Sequence, residues 1–160
     1  MAAIELDRID LLILAELQRS GRQANAELAE RVHLSPSACL RRVQRLERDG
    51  VIAGYRAVVE PEAIGVGLQA FVRVQLADHG VEAIEAFSRF VNQWDEVIAC
   101  HALTGDMDYL LHVAVQDLEH FSRFLLDRLL NQAGVDDVNS SFVLRTVKPF
   151  RGLPLPTLAG

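Results

Sequence analysis

The chain has 160 residues, half of them hydrophobic, with a formal net charge of −6 and a mean hydropathy of +0.15. That length suits one large domain or two small ones, and a charged fraction of 24% argues against wholesale disorder. Cys39 and Cys100 cannot make a disulfide framework and lack metal-ligand spacing, "MAAIELDRID" has no signal-peptide pattern, and apolar runs such as "LLILA" are too short to span a bilayer; the expectation is a reduced, cytoplasmic protein with no membrane association.

The charge is unevenly spread. Residues 1–60 carry nine arginines against nine acidic residues, whereas residues 61–160 carry seven basic and thirteen acidic residues and hold the whole excess of −6. Two units with different partners are expected, and the acidic one should face away from any polyanion.

In chain order, "LDRIDLLILAELQRSGR" places Leu6, Ile9, Ile13 and Leu17 at helical spacing, with Asp7 as a cap and Gly21 at the end. "NAELAERV" predicts a second helix with Asn25 as N-cap, Glu27 and Glu30 early, and Ala29 and Val32 inward. His33 and Leu34 form a tight link. "SPSACLRRVQRLERDG" predicts a third helix, with Ser35 at the N-cap, Pro36 at the first helical position and Gly50 closing the end. At 100° per residue, Cys39, Val43 and Leu46 share one face. Ser37, Arg41, Gln44, Arg45 and Arg48 fall on or near the other, and Arg42 lies at the flank of the apolar side. Three helices, a tight link and a basic outer face are what a helix-turn-helix needs to enter a major groove. A run of Arg with Glu47 and Asp49 nearby is by itself compatible with a merely solvated face; the three-helix pattern favours DNA.

"AGYRAVVEPEAIGVG" reads as a connecting strand and linker. Beyond it the rhythm changes. "LQAFVRVQL" alternates, with Leu68, Ala70, Val72, Val74 and Leu76 on one face. "VEAIEAFSRFVNQW" is helical, with Val81, Ile84, Phe87 and Val91 on one side. "VIACHALTG" and "DYLLHVAV" are strands, "DLEHFSRFLLDRLL" is a helix with Leu118, Phe121, Leu125 and Leu129 inward, and "VDDVNSSFVLRTV" is a last strand. The order β-α-β-β-α-β is the split βαβ, ferredoxin-like motif. Phe71, Cys100 and Val143 fall out of phase with the inward face, which points to a second apolar sheet face and a dimer formed through it. His101 and His112 lack a third ligand, so no metal is expected, and Trp94 reads as packing. No catalytic constellation is visible, and Cys39 reads as a core residue.

"NAELAERVHLSPSACLRRVQRLERDGVI", "ALTGDMDYLLHV" and the closing "RGLPL" together resemble the leucine-responsive regulatory protein / asparagine regulator (Lrp/AsnC) family of transcription regulators, from Leu6 to Leu155. The resemblance implies an α+β chain: a three-helix (winged) helix-turn-helix over residues 1–54, a linker strand over 55–67 and a ferredoxin-like effector-binding and oligomerisation domain over 68–160. It implies a helix-turn-helix from Asn25 to Gln44, with DNA contacts expected at Ser35, Ser37, Ala38, Arg41, Arg42, Gln44, Arg45 and Arg48. It also implies an amino-acid effector at Leu103, Thr104, Gly105, Asp106, Met107 and Asp108. An ammonium wants a carboxylate such as Asp106 or Asp108, and a carboxylate wants the backbone N–H groups that a turn containing Gly105 exposes. Read locally, "TGDMD" is also an ordinary hairpin turn. The implied partners are promoter DNA, a free amino acid (apolar, such as leucine or methionine) and further copies of the chain, as dimers and octamers; no other cofactor and no enzymatic activity are expected. The alternative is a regulatory or interaction module of amino-acid metabolism that does not bind DNA.

Overall fold

The computed structural model describes residues 4–156. The chain divides into two compact units, one running up to Val58 together with the tail from Lys148, the other spanning Val59–Val147.

The first unit holds three helices, α1 (Arg8–Arg19), α2 (Asn25–Arg31) and α3 (Pro36–Arg48). Asp7 caps α1 in a reciprocal box: its side chain accepts from the Asp10 N–H, and the Asp10 carboxylate accepts from the Asp7 N–H. Asn25 is not the cap of α2 as expected. Ala24 occupies that position without a side-chain bond, and Asn25 lies inside the helix, where its amide donates to the Pro36 carbonyl at 2.8 Å. The residue thus ties α2 to the start of α3. Between these helices His33 adopts φ +56°, while the Leu34 N–H reaches back to the Ala29 carbonyl. Ser35 caps α3 through the Ala38 N–H, with Pro36 at the first helical position. Ile13, Leu28, Ala29, Val32, Cys39 and Leu46 form the core, against which Val51, Ile52 and Leu155 pack. Burial raises the Cys39 thiol above its ordinary pKa, as befits a core residue rather than a nucleophile.

The tail therefore belongs with the helices, although it was expected within the sheet domain of 68–160. Gln18 explains this: its side-chain amide donates to the Leu153 carbonyl and accepts from the Leu153 N–H. Gly152, at φ +121°, lets the backbone come this close, since a Cβ there would lie 2.4 Å from the Gln18 oxygen. The linker expected as a strand has no strand partner; it carries a single 3-10 turn, Glu62–Ile64.

The second unit is a four-stranded antiparallel sheet with two helices. Its elements are β1 (Leu68–Leu76), α4 (Val81–Val91), β2 (Val97–Ala102), β3 (Tyr109–Val115), α5 (Leu118–Arg123, continuing as a π-helical Phe124–Leu129) and β4 (Val135–Phe142). The strand order β2-β3-β1-β4 is that of the ferredoxin-like fold. Ala70, Val72, Val74, Leu76, Tyr109, Leu111, Val113 and Val115 meet Phe87 and Val91 of α4 and Phe121, Phe124 and Leu129 of α5 in one core. The wider π turn lets Phe124 and Leu129 both point inward. Val81, Ile84 and Leu118, expected inward, are exposed, Val81 and Leu118 because they occupy first helical positions.

Across the sheet, the face away from the helices carries Phe71, stacked on His112 with ring centroids 4.5 Å apart. Arg73 donates to Asn139 across the same face. Cys100 was expected there but faces the helices, because a bulge between Val97 and Ala99 reverses the alternation and pairs Cys100 with Leu111.

His112 accepts or donates one bond to Gln69, and desolvation holds its pKa below the ordinary 6.5. The unfolded chain therefore binds this proton more readily than the folded one. Stability from the neutral imidazole is present above pH 6.5 and is lost as pH falls toward the depressed folded value. The thermal-midpoint difference between the parent and His112→Gln should shift against the parent from pH 7 to pH 5. A difference that stays flat with pH would contradict this.

Candidate functional site

Helix α3 presents an exposed stripe made by Ser37, Leu40, Arg41, Gln44 and Arg48, spaced by three and four residues. Ser35 is exposed at the cap, with its hydroxyl 3.3 Å from that of Ser37, and Ala38 is half-buried beside it. Among the described residues, Arg41 enters no ion pair, and Arg48 has only a 3.4 Å contact with its neighbour Asp49. These side chains suit the reading of a groove: a hydroxyl, an amide and two cations projecting from one face.

Arg42 and Arg45 are in a different situation. Both turn back toward α1, where Asp10 is fully buried at 0% exposure. Arg42 donates to Asp7 at 2.7 Å and to Asp10 at 2.9 Å, and Arg45 donates to the other Asp10 oxygen. The hydrogen bonds that Arg42 donates to Asp7 and Asp10 lift its guanidinium above its ordinary pKa. At Asp7 desolvation acts to raise the pKa, but it is outweighed by hydrogen bonds from the Asp10 N–H and Arg42, so the net shift is downward. A buried carboxylate needs such partners, since an unpaired charge there is prohibitive. The expected outward projection of Arg45 is thus corrected: an acid from another helix, 35 residues earlier, claims it. No sequence signal within α3 reveals this. The only hint was a polar residue, Asp10, beside the apolar positions Ile9 and Ile13.

The second candidate site is the turn between β2 and β3. Leu103, Thr104, Gly105 and Asp106 are exposed, and Met107 and Asp108 are half-buried. Gly105 takes φ +114°, a conformation that side chains rarely adopt. The Leu103 N–H closes the turn on the Asp108 carbonyl at 2.8 Å. The Asp108 carboxylate is committed locally: one oxygen accepts from the Leu76 N–H at 2.7 Å, the other lies 2.9 Å from His79 Nε2. The Asp108 N–H donates to the Val74 carbonyl, so this residue staples the turn to the end of β1. Asp106 has no such partner among the described residues. Ala102 and Tyr109, which flank the turn, line a groove of about 570 Å³ with Ser88, Val91, Trp94 and Cys100. The described residues contain no cluster of three metal-ligating side chains and no helix long and apolar enough to cross a membrane.

A helix-turn-helix followed by a ferredoxin-like domain defines a two-part DNA-binding protein. Residues 6–53 match the winged helix-turn-helix DNA-binding family, and residues 69–153 match the Lrp/AsnC ligand binding domain. The leucine-responsive regulatory protein of Escherichia coli K12 is 41% identical over 153 residues, covering 96% of this chain and 93% of that protein. A transcriptional regulator from Neisseria meningitidis, solved in complex with L-Met, superposes with a TM-score of 0.90 at 48% identity, covering 94% of this chain and 97% of that one. The feast or famine regulatory protein of M. tuberculosis complexed with L-methionine gives a TM-score of 0.81 at 35% identity, covering 93% and 99% of the two chains. The chain belongs to the Lrp/AsnC family of transcription regulators. It is a DNA-binding regulator and not an enzyme.

The two carboxylates of the turn should respond differently to replacement. Asp108→Ala strands a half-buried N–H and should cost about 1–3 kcal/mol. Asp106→Ala, at an exposed position, should stay within about 0.5 kcal/mol. Denaturant midpoints measure both, and equal costs would contradict the assignment of Asp108 as the staple.

Proposed function

We propose that this regulator reads promoter DNA with the stripe Ser35, Ser37, Ala38, Arg41, Gln44 and Arg48, and that it responds to a free apolar amino acid, L-methionine in the first instance, at the turn from Leu103 to Asp108. The observation that carries the DNA half is the exposed stripe on α3, free of the ion pairs that engage Arg42 and Arg45. The effector half is supported by the relatives that were solved with L-methionine. Within the turn, Asp106 is the partner for the ammonium, since the Asp108 carboxylate is already used by Leu76 and His79. Backbone N–H groups around Gly105 would receive the carboxylate. Leu103 and Met107 supply apolar contact. The turn is exposed in the single chain, so a second subunit completes the enclosure.

Self-association fits this reading. Both helices of the sheet unit, α4 and α5, pack on the opposite face from Phe71 and His112, and a partner on the Phe71 face gives a dimer from which octamers are built. The working compartment is the cytoplasm, where both promoter DNA and free amino acids are found. Effector action is then linkage: a ligand that bridges subunits favours one assembly geometry and shifts the spacing of the paired recognition helices.

Three outcomes follow. Arg41→Ala should cost about 1–3 kcal/mol in operator affinity and relax specificity at one base position, measured by titration of labelled DNA; parental affinity would show that α3 does not read the groove. By calorimetry the parent should bind L-methionine, and Asp106→Ala should weaken it by about 1.5–3 kcal/mol, the usual worth of a charge-assisted bond. Binding of neither L-methionine nor L-leucine by the parent would end the sensing claim, while equal binding by the variant would move the site elsewhere. Phe71→Glu should lower the molar mass seen by light scattering; an unchanged mass would place the interface on another surface.

A further inference from the structure

Two of the four arginines clustered on α3, both half-buried, are paired with carboxylates of the same unit. Arg45 lies one helical turn beyond Arg41, so an unrestrained guanidinium there would project beside the reading stripe. Instead it pairs with Asp10, which is fully buried and fixed on α1. Arg42 is shared between the same Asp10 and Asp7, at 2.9 and 2.7 Å. Two cations thus face two anions, and the cluster as a whole contributes no net charge toward DNA. Phosphate contacts made by free cations add affinity for every sequence alike, and only base contacts discriminate.

We infer that Asp7 and Asp10 are specificity-determining residues: they withhold Arg42 and Arg45 from the phosphate backbone and leave Arg41 and Gln44 to read the bases. The inference rests on α3 being the DNA-facing helix. Asp10 also positions that helix, because its two oxygens hold residues one turn apart on α3 against α1. Asp7 has the more separable role. It touches Arg42 alone among the arginines, its side chain is 52% exposed, and Asn in its place still caps α1.

The test compares the full-length parent with Asp7→Asn, Asp10→Asn, Arg42→Met and Arg41→Ala. The two probes are random-sequence duplex and a duplex selected by the parent from a random pool, each titrated across a range of NaCl concentrations. In Asp7→Asn, Arg42 is partly released. Random-sequence affinity should rise severalfold, its salt slope should steepen by up to roughly 0.9, the value for one added phosphate contact, and the specific-to-random ratio should fall. Asp10→Asn, if it folds by circular dichroism, should show the same changes more strongly. Arg42→Met should leave the salt slope of the parent unchanged. The inference is overturned if Asp7→Asn keeps the parental slope and ratio, or if Arg42→Met flattens the slope by about one contact, since Arg42 would then already be on phosphate. Failure of the underlying reading looks different: Arg41→Ala would then bind the selected duplex as the parent does.

Discussion

A carboxylate with no access to solvent, Asp10, sets the geometry of the DNA-binding unit. It closes the capping box that starts α1, and it receives guanidinium groups from two successive turns of α3. Apolar packing through Ile13, Cys39 and Leu46 drives the helices together but does not by itself fix their rotation. A charged pair with defined hydrogen bonds does, because any rotation of α3 would strand a buried charge. The direction of the stripe Ser37–Arg41–Gln44 follows from that constraint.

A second aspartate has the corresponding role in the sheet unit. Asp108 joins the β2–β3 turn to the end of β1 through the Leu76 N–H, while its own N–H meets Val74. The turn is thereby held at one place on the sheet, with Gly105 at φ +114°. In both units acidic residues that look from composition like surface charge are structural. The function divides in the same way as the charge: the unit with no net charge over residues 1–60 carries the basic stripe, and the acidic remainder carries the ligand-binding fold.

Much of this was legible in the sequence because it depends on local rules. Alternation fixed β1 and β3, caps fixed the starts of α1 and α3, and the order of elements fixed the ferredoxin-like topology. What was not legible depended on distant partners. Arg45 sits on the outward side of α3 by angle, and only Asp10 turns it in. Asn25 has the chemistry of an N-cap, yet the Pro36 carbonyl claims its amide. Cys100 changes face because of a one-residue bulge that no period of two anticipates. The tail follows Gln18 back to α1 through one pair of hydrogen bonds to Leu153. The candidate turn rests on resemblance, and the bonds that tie Asp108 to β1 and His79 are visible only in three dimensions.

The central claim is that amino-acid binding and DNA binding are coupled in one chain, and coupling is reciprocal. The direct measurement is the affinity of L-methionine for the protein alone and for the protein saturated with its selected duplex. The duplex affinity is then measured with and without saturating L-methionine. The account predicts two equal factors different from one, in the range of about 5 to 150 that corresponds to about 1–3 kcal/mol of coupling. An L-methionine affinity identical in the presence and absence of DNA would contradict it.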